Sequence, residues 1–185
     1  IPQDVMTGYG LIAEEAIAQW QALGAEPPTH LFLQAGVGGM AAALALRFQQ
    51  LGFPMMLVVC EAEGAACWFR SIAADEWHAV ESRGTIQAGL HCGEPSTLAW
   101  EMLRHSAAAS CWIGDGRAAD AMRRLAAGTP SIAAGESAVA GLAGLLAGAA
   151  TDAGREMVGL SAESRGFILG SEGPTDPEGY SNIVG

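Results

Sequence analysis

Between Val5 and Leu23 the apolar side chains recur on a helical period, with Leu11, Ala16, Ile17 and Trp20 on one face and Glu14 and Glu15 elsewhere. That spacing predicts an amphipathic helix. Gly24 ends it, and Pro27-Pro28 makes a rigid turn. The pattern then changes. His30 to Ala35 reads as a short apolar strand, Gly36-Val-Gly-Gly-Met40 as a tight loop, and the Ala/Leu run to Gln50 as a second helix. Gly52 and Pro54 break the chain before Met55–Cys60, a continuous apolar run of the kind buried in a parallel sheet. This is a strand–loop–helix–strand unit, for which a right-handed crossover is the rule. Helices are predicted over Ser96–His105, Arg117–Ala126 and Ala138–Ala150, and strands around Cys111–Ile113 and Gly166–Leu169. The alternation defines an α/β class, a parallel sheet flanked by Ala-rich helices able to pack closely on it. Residues 1–185 are expected to form one α/β domain.

Composition narrows the functions this chain can serve. Half of it is hydrophobic and only 16% is charged, which excludes a disordered or coiled-coil chain. A net charge of −11 repels phosphate backbones and anionic lipid, so neither a nucleic-acid nor a membrane partner is expected. Ala133–Ala150 is long and apolar, but it is Ala/Gly-rich and carries Glu136, and it reads as a buried helix rather than a span. Cys60, Cys67, Cys92 and Cys111 contain no Cys-x-x-Cys pair, and His30, His78, His91 and His105 form no metal-spaced cluster with them or each other. No metal site is expected, His78 and His105 read as surface residues, and the cysteines suit a reducing, cytoplasmic compartment. Ile1-Pro2-Gln3-Asp4 offers neither a basic signal region nor an initiator Met, so the domain is expected to be an incomplete part of a longer polypeptide. All nine basic side chains are Arg; there is no Lys.

Chemistry first shows in the glycine-rich turn. Gly36, Gly38 and Gly39 between a buried strand and a helix allow backbone N–H groups to approach a ligand closely. The positive end of the following helix favours a phosphate there. The alternative is that the glycines serve turn geometry alone. Two ligand classes fit a phosphate loop. Gly36-x-Gly38-x-x-Ala41, with Glu61 ending the next strand, satisfies the spacing of an NAD(P)-binding Rossmann domain, Glu61 then meeting a ribose hydroxyl. A loop of similar type also holds the phosphate of pyridoxal phosphate, and the local pattern does not separate the two.

The rest of the chain does. Gln34-Ala-Gly-Val-Gly-Gly-Met40 resembles the phosphate loop of the diaminopropionate ammonia-lyases, pyridoxal-phosphate enzymes of the tryptophan synthase β / threonine dehydratase fold. Further segments resemble that family in the right order: Ile1-Pro2 with Met6-x-Gly-Tyr9 and Ala13-Glu-Glu-Ala16; Val58-Val-Cys-Glu61 with Cys67; Gly89-Leu-His-Cys-Gly-Glu-Pro95 with Leu98, Trp100-Glu101 and Leu103-Arg104; Ala134-Gly-Glu-Ser137; and Ser171-Glu-Gly-x-Thr-Asp176. Two departures stand out. The Gly-Gly pair usual in the helix after the loop is Ala here, and Ser171 stands where the family has Thr.

The resemblance implies an α,β-elimination that turns 2,3-diaminopropionate into pyruvate and ammonia, with the organic chemistry carried by the cofactor. It places Gly36, Val37, Gly38, Gly39 and Met40 on the cofactor phosphate and Ser171 on its ring nitrogen, the alternative for Ser171 being a strand-end turn. Cys92, Gly93 and Glu94 would line the pocket, although Glu94 also reads as a charge at a helix start. Glu136 would meet the substrate or, with Ser137, cap the following helix. Glu61 becomes a strand-end carboxylate, and Trp68, Trp100 and Trp112 become core or dimer-contact residues. The family's Schiff-base Lys and acid/base residues lie upstream of the matched region, and Asp4 aligns just past the acidic position. No catalytic residue is therefore assigned in this chain. The expectation is the C-terminal portion of such an enzyme, inactive alone, its cofactor lost or replaced by an anion, and homodimeric when full length.

Overall fold

The structure, a computed structural model, describes residues 2–185. Ile1, part of the first family-like segment, lies outside them. The first helix, α1, spans Pro2–Ala22. Its buried stripe is Met6, Ala13 and Trp20, with Tyr9, Ala16 and Ile17 partly buried beside it. That spacing of three and four rotates the apolar face away from Leu11, which is 58% exposed and not on the core side as its hydrophobicity suggested.

Strands β1 (His30–Gln34), β2 (Met56–Ala62), β3 (Ala107–Ile113) and β4 (Gly166–Ile168) form one parallel sheet in the order β3-β2-β1-β4. His30 to Gln34 pairs with Met56 to Cys60, and His30 to Phe32 pairs with Gly166 to Ile168. Alternate strand residues feed two separate cores. Leu31, Leu33, Leu57 and Val59 face α1, α2 (Gly39–Gln50) and α4 (Thr97–Leu103), with Trp68 and Trp100 between them. Phe32, Val58 and Cys60 face the other layer, where α5 (Asp115–Ala126) and α6 (Ala140–Ala149) pack. Both faces are covered, which is why β1 and β2 read as unbroken apolar runs.

The Ala/Gly composition of α6 has a direct cause. A Cβ on Gly141 would lie 2.3 Å from the Phe32 carbonyl oxygen, and one on Gly144 would lie 2.5 Å from the Cys60 Sγ. The helix lies on the sheet at backbone distance. It begins at Ala140, so Ala134–Val139, although buried, are not helical. Three helices carry no long apolar period in the sequence: α3 (Cys67–Ala74), α7 (Asp152–Met157) and α8 (Pro177–Val184). No described helix is long and apolar enough to cross a membrane.

Candidate functional site

The chain reverses its direction of sheet growth between β1 and β4. From β1 it moves outward through β2 to β3, then returns across the sheet to place β4 on the other side of β1. The loops leaving the carboxyl ends of β1 and β4 therefore part from one another, and that crevice is where open α/β sheets bind ligands. The glycine loop leaves β1, and Ser171 lies three residues past the end of β4.

In the glycine loop the carbonyls turn inward. Gly36 O accepts from the Trp68 indole Nε1–H at 2.9 Å, Val37 O from Ser96 N–H at 2.9 Å, and Gly38 O from Ala42 N–H at 2.9 Å. Among the described residues no hydrogen bond takes the N–H groups of Val37, Gly38, Gly39 or Met40, and no side chain caps α2. A helix start with its N–H groups left over can receive an anion. The glycines themselves answer to the protein. Gly38 sits at φ +90°, and a Cβ there would lie 2.2 Å from Trp68 Cζ2; a Cβ on Gly36 would lie 2.9 Å from Cys92 Sγ. Close neighbours and backbone geometry thus explain Gly36 and Gly38, and the anion reading rests on the untaken N–H groups instead.

Ser171 is tied to the end of β1. Its hydroxyl accepts a hydrogen bond from Gln34 Nε2 at 2.7 Å, and the same amide donates to Leu169 O at 2.8 Å. Among the described residues no acceptor takes the Ser171 proton, so the hydroxyl keeps a donor for a partner. Glu172 holds the rest of this segment. Its carboxylate accepts from Ser137 N–H at 3.0 Å, its carbonyl from Gly135 N–H at 3.1 Å, and Ser137 Oγ accepts from Gly89 N–H at 2.9 Å. Three of the family-like segments meet here through these three hydrogen bonds. Neither Glu136 nor Ser137 caps α6, whose N-cap is Val139 without a side-chain bond; Ser137 links loops instead. Glu136 is buried beside it. Cys92 abuts Gly36, Gly93 O accepts from Val80 N–H at 2.7 Å, and Glu94 is exposed. Glu94 does not serve the start of α4, which is capped by Ser96 accepting from Ala99 N–H at 3.1 Å.

Glu61, at the end of β2, is fully buried and engaged. Its two carboxylate oxygens accept from Trp68 N–H at 2.8 Å and Phe69 N–H at 2.5 Å, closing the start of α3. Burial pushes its carboxyl up to about 7, against the lowering effect of those N–H groups. A carboxylate so occupied is not free for a ribose, and the Rossmann reading finds no support. Trp68 and Trp100 are core residues, whereas Trp112 is 46% exposed. His105 is exposed and His78 half-buried, and among the described residues no group of His, Cys, Asp or Glu could hold a metal ion. Sequence reasoning gave no role to Gln34, Glu172 or the Trp68 indole. Each acts on a partner distant in sequence, for which no local spacing exists.

A strand-end loop with inward carbonyls and a serine keeping its proton suit a phosphate-bearing cofactor, and the chain belongs to the pyridoxal-phosphate dependent enzyme family, whose model matches residues 2–161. Within that class it is similar to the diaminopropionate ammonia-lyase of Escherichia coli strain K12, 36% identical over 194 residues that cover 100% of this chain and 48% of the relative. The diaminopropionate ammonia-lyase of Salmonella typhimurium strain LT2 is 35% identical over 200 residues, again covering 100% and 48%. The chain spans about half the length of the curated relatives it matches. A crystal structure of holo diaminopropionate ammonia lyase from Escherichia coli superposes with a TM-score of 0.86 at 32% identity, covering 97% of this chain and 47% of that one. Maize serine racemase, at 22% identity and TM-score 0.79 over 96% of this chain and 52% of that one, shares the tryptophan synthase β-like fold.

Proposed function

We propose that this chain is the cofactor-binding α/β domain of a carbon–nitrogen lyase that converts 2,3-diaminopropionate to pyruvate and ammonia with pyridoxal 5'-phosphate. The observation that carries this reading is the loop at Gly36–Met40, with its carbonyls bonded inward and its N–H groups untaken. In this reading the N–H groups of Val37 to Met40 hold the phosphate at the positive end of α2. The Ser171 hydroxyl would donate a hydrogen bond to the ring nitrogen, while Gln34 fixes the hydroxyl from behind. A hydroxyl there, unlike a carboxylate, would favour an unprotonated ring nitrogen that accepts the bond. Bound, the cofactor supplies an electron-withdrawing ring for loss of the substrate's Cα proton.

The walls follow the same logic. Cys92 and Gly93 lie beside Gly36, Glu94 stands exposed at the rim, and Glu136 backs the segment that Glu172 gathers. The chain has no Lys, and Arg does not form a Schiff base at neutral pH. The chain therefore holds the cofactor without covalent attachment and does not complete the reaction. The complete enzyme is a homodimer in the cytoplasm, a compartment that suits four unbridged cysteines.

Titration of the chain with pyridoxal 5'-phosphate, followed by tryptophan fluorescence, tests this directly. Trp68 lies against the loop and reports its occupation. The expected result is saturable binding, competition by inorganic phosphate, and no pyruvate from 2,3-diaminopropionate. Binding indifferent to phosphate overturns the loop assignment. Turnover by the pure chain overturns the argument from the missing Lys.

A further inference from the structure

Cys60 and Cys111 take no part in the site above. They are paired residues on neighbouring strands β2 and β3, so their backbones are separated by roughly 4.8 Å. That falls within the span of roughly 4.4–6.8 Å that a disulfide bridges. Both side chains point to the same face, into the core shared with α6. Their Sγ atoms are 3.6 Å apart. The absence of a side chain at Gly144 opens the space the pair occupies, since a Cβ there would stand 2.5 Å from Cys60 Sγ and 3.2 Å from Cys111 Sγ. Strand β3 is the edge of the sheet among the described residues, and Cys111 is only half-buried, whereas Cys60 is buried. Of the two residues, Cys111 is the less deeply buried.

We propose that Cys60 and Cys111 form a thiol–disulfide exchange site, with small-molecule disulfides as its substrate class. The division of labour follows from the environment. The hydrogen bond between the two sulfurs holds the Cys111 thiol below its ordinary range, while that same pairing and burial push Cys60 well above it. Cys111 is the attacking sulfur: its thiolate displaces one half of the small disulfide, forming a mixed disulfide and releasing one thiolate, which takes up the proton Cys111 has lost. Cys60 then attacks Cys111 Sγ, its proton passes to the departing second half, and a Cys60–Cys111 bond closes. Two protein thiols are oxidised and one small disulfide is reduced to two thiols. The bond ties β3 to β2 one residue before Glu61, beside Ala35, whose N–H donates to Cys60 O at 2.8 Å ahead of the glycine loop.

Incubation of the folded chain with hydroxyethyl disulfide, followed by alkylation and peptide mass mapping, tests the proposal. The expected result is a linked pair of peptides containing Cys60 and Cys111, lighter by two hydrogen masses and reversed by dithiothreitol. Cys111→Ser should abolish both the link and any adduct at position 60. Gly144→Ala, whose methyl group would press on Cys60 Sγ, should slow closure and leave the mixed disulfide at Cys111 to accumulate. Full alkylation of both cysteines in the folded chain, under conditions that oxidise the urea-unfolded chain, overturns the proposal. So does a mixed disulfide in the unsubstituted chain that never closes on Cys60. Peptide mapping separates these outcomes from any chemistry at Cys67 and Cys92.

Discussion

The starts of α2 and α3 are the same device put to opposite use. Each helix follows a central strand of the sheet and presents its leading N–H groups near the strands' carboxyl ends. At α3 the chain supplies the anion itself: Glu61, fully buried, accepts from both Trp68 and Phe69. At α2 no side chain caps the helix, and the N–H groups of Val37 to Met40 have no acceptor among the described residues. The two are also joined, because Trp68 at the start of α3 donates its indole N–H to Gly36 O and lays its ring against Gly38. The closed terminus thus braces the open one. A glycine count does not distinguish them, but the fate of the N–H groups does.

The sharpest way to break this relation is at Gly38. Gly38→Ala requires a side chain at φ +90° and 2.2 Å from the Trp68 ring. Strain of about 1 kcal/mol and overpacking of about 1–3 kcal/mol give a loss of about 2–4 kcal/mol of stability, measurable by urea unfolding. Phosphate and cofactor binding should vanish with it. Gly52→Ala is the matching control, since Gly52 has φ +85° but nothing within 4 Å of a Cβ. It should cost only the strain and leave binding intact.

The closed terminus is sharpened by pH. Burial raises the Glu61 carboxyl from 4.5 to about 7. The folded chain therefore holds this proton more tightly than the unfolded chain, and stability rises as pH falls from about 7 toward 4.5. The gain between pH 8 and pH 5 is about 2–3 kcal/mol, read from urea midpoints at each pH. Glu61→Gln should flatten that slope. If the slope survives the substitution, the carboxylate is not the internal anion that separates α3 from α2.

The smallest effect belongs to Ser171. Ser171→Ala removes one neutral hydrogen bond, about 0.5–1.5 kcal/mol of cofactor affinity in the same fluorescence titration. Ser171→Thr should be mild. Inorganic phosphate should bind both variants as it binds the unsubstituted chain, because Ser171 is placed at the ring and not at the loop.

The legible parts of the fold were those bounded by Gly and Pro. Strands β1 and β2 and helix α2 are apolar runs cut off by Gly36, Gly52 and Pro54, and their ends fall within two residues of the sequence reading. The first half of β3, Ala107 to Ser110, has no bulky apolar residue and was missed for that reason. Helices α7 and α8 are short and start on side-chain caps, Thr151 accepting from Gly154 N–H at 3.0 Å and Asp176 from Gly179 N–H at 3.0 Å. Caps this local set no period. In the site, the glycine loop was visible because strand, turn and helix are contiguous in sequence. Gln34 and Glu172 were not, because their partners lie 137 and 35 residues away.

Those long separations also set an order of events. The bonds that gather the crevice span 48 residues from Gly89 to Ser137, 35 from Ser137 to Glu172 and 137 from Gln34 to Ser171. Closing such loops costs chain entropy before any contact repays it, so distant pairings form after local ones. The strand–loop–helix unit of β1, α2 and β2 can assemble from neighbours, whereas Ser171 reaches its place only once β4, just three residues long, has docked beside β1. The crevice is thus the last region to be organised as the chain folds. Exchange of backbone amide protons should find it the first to open.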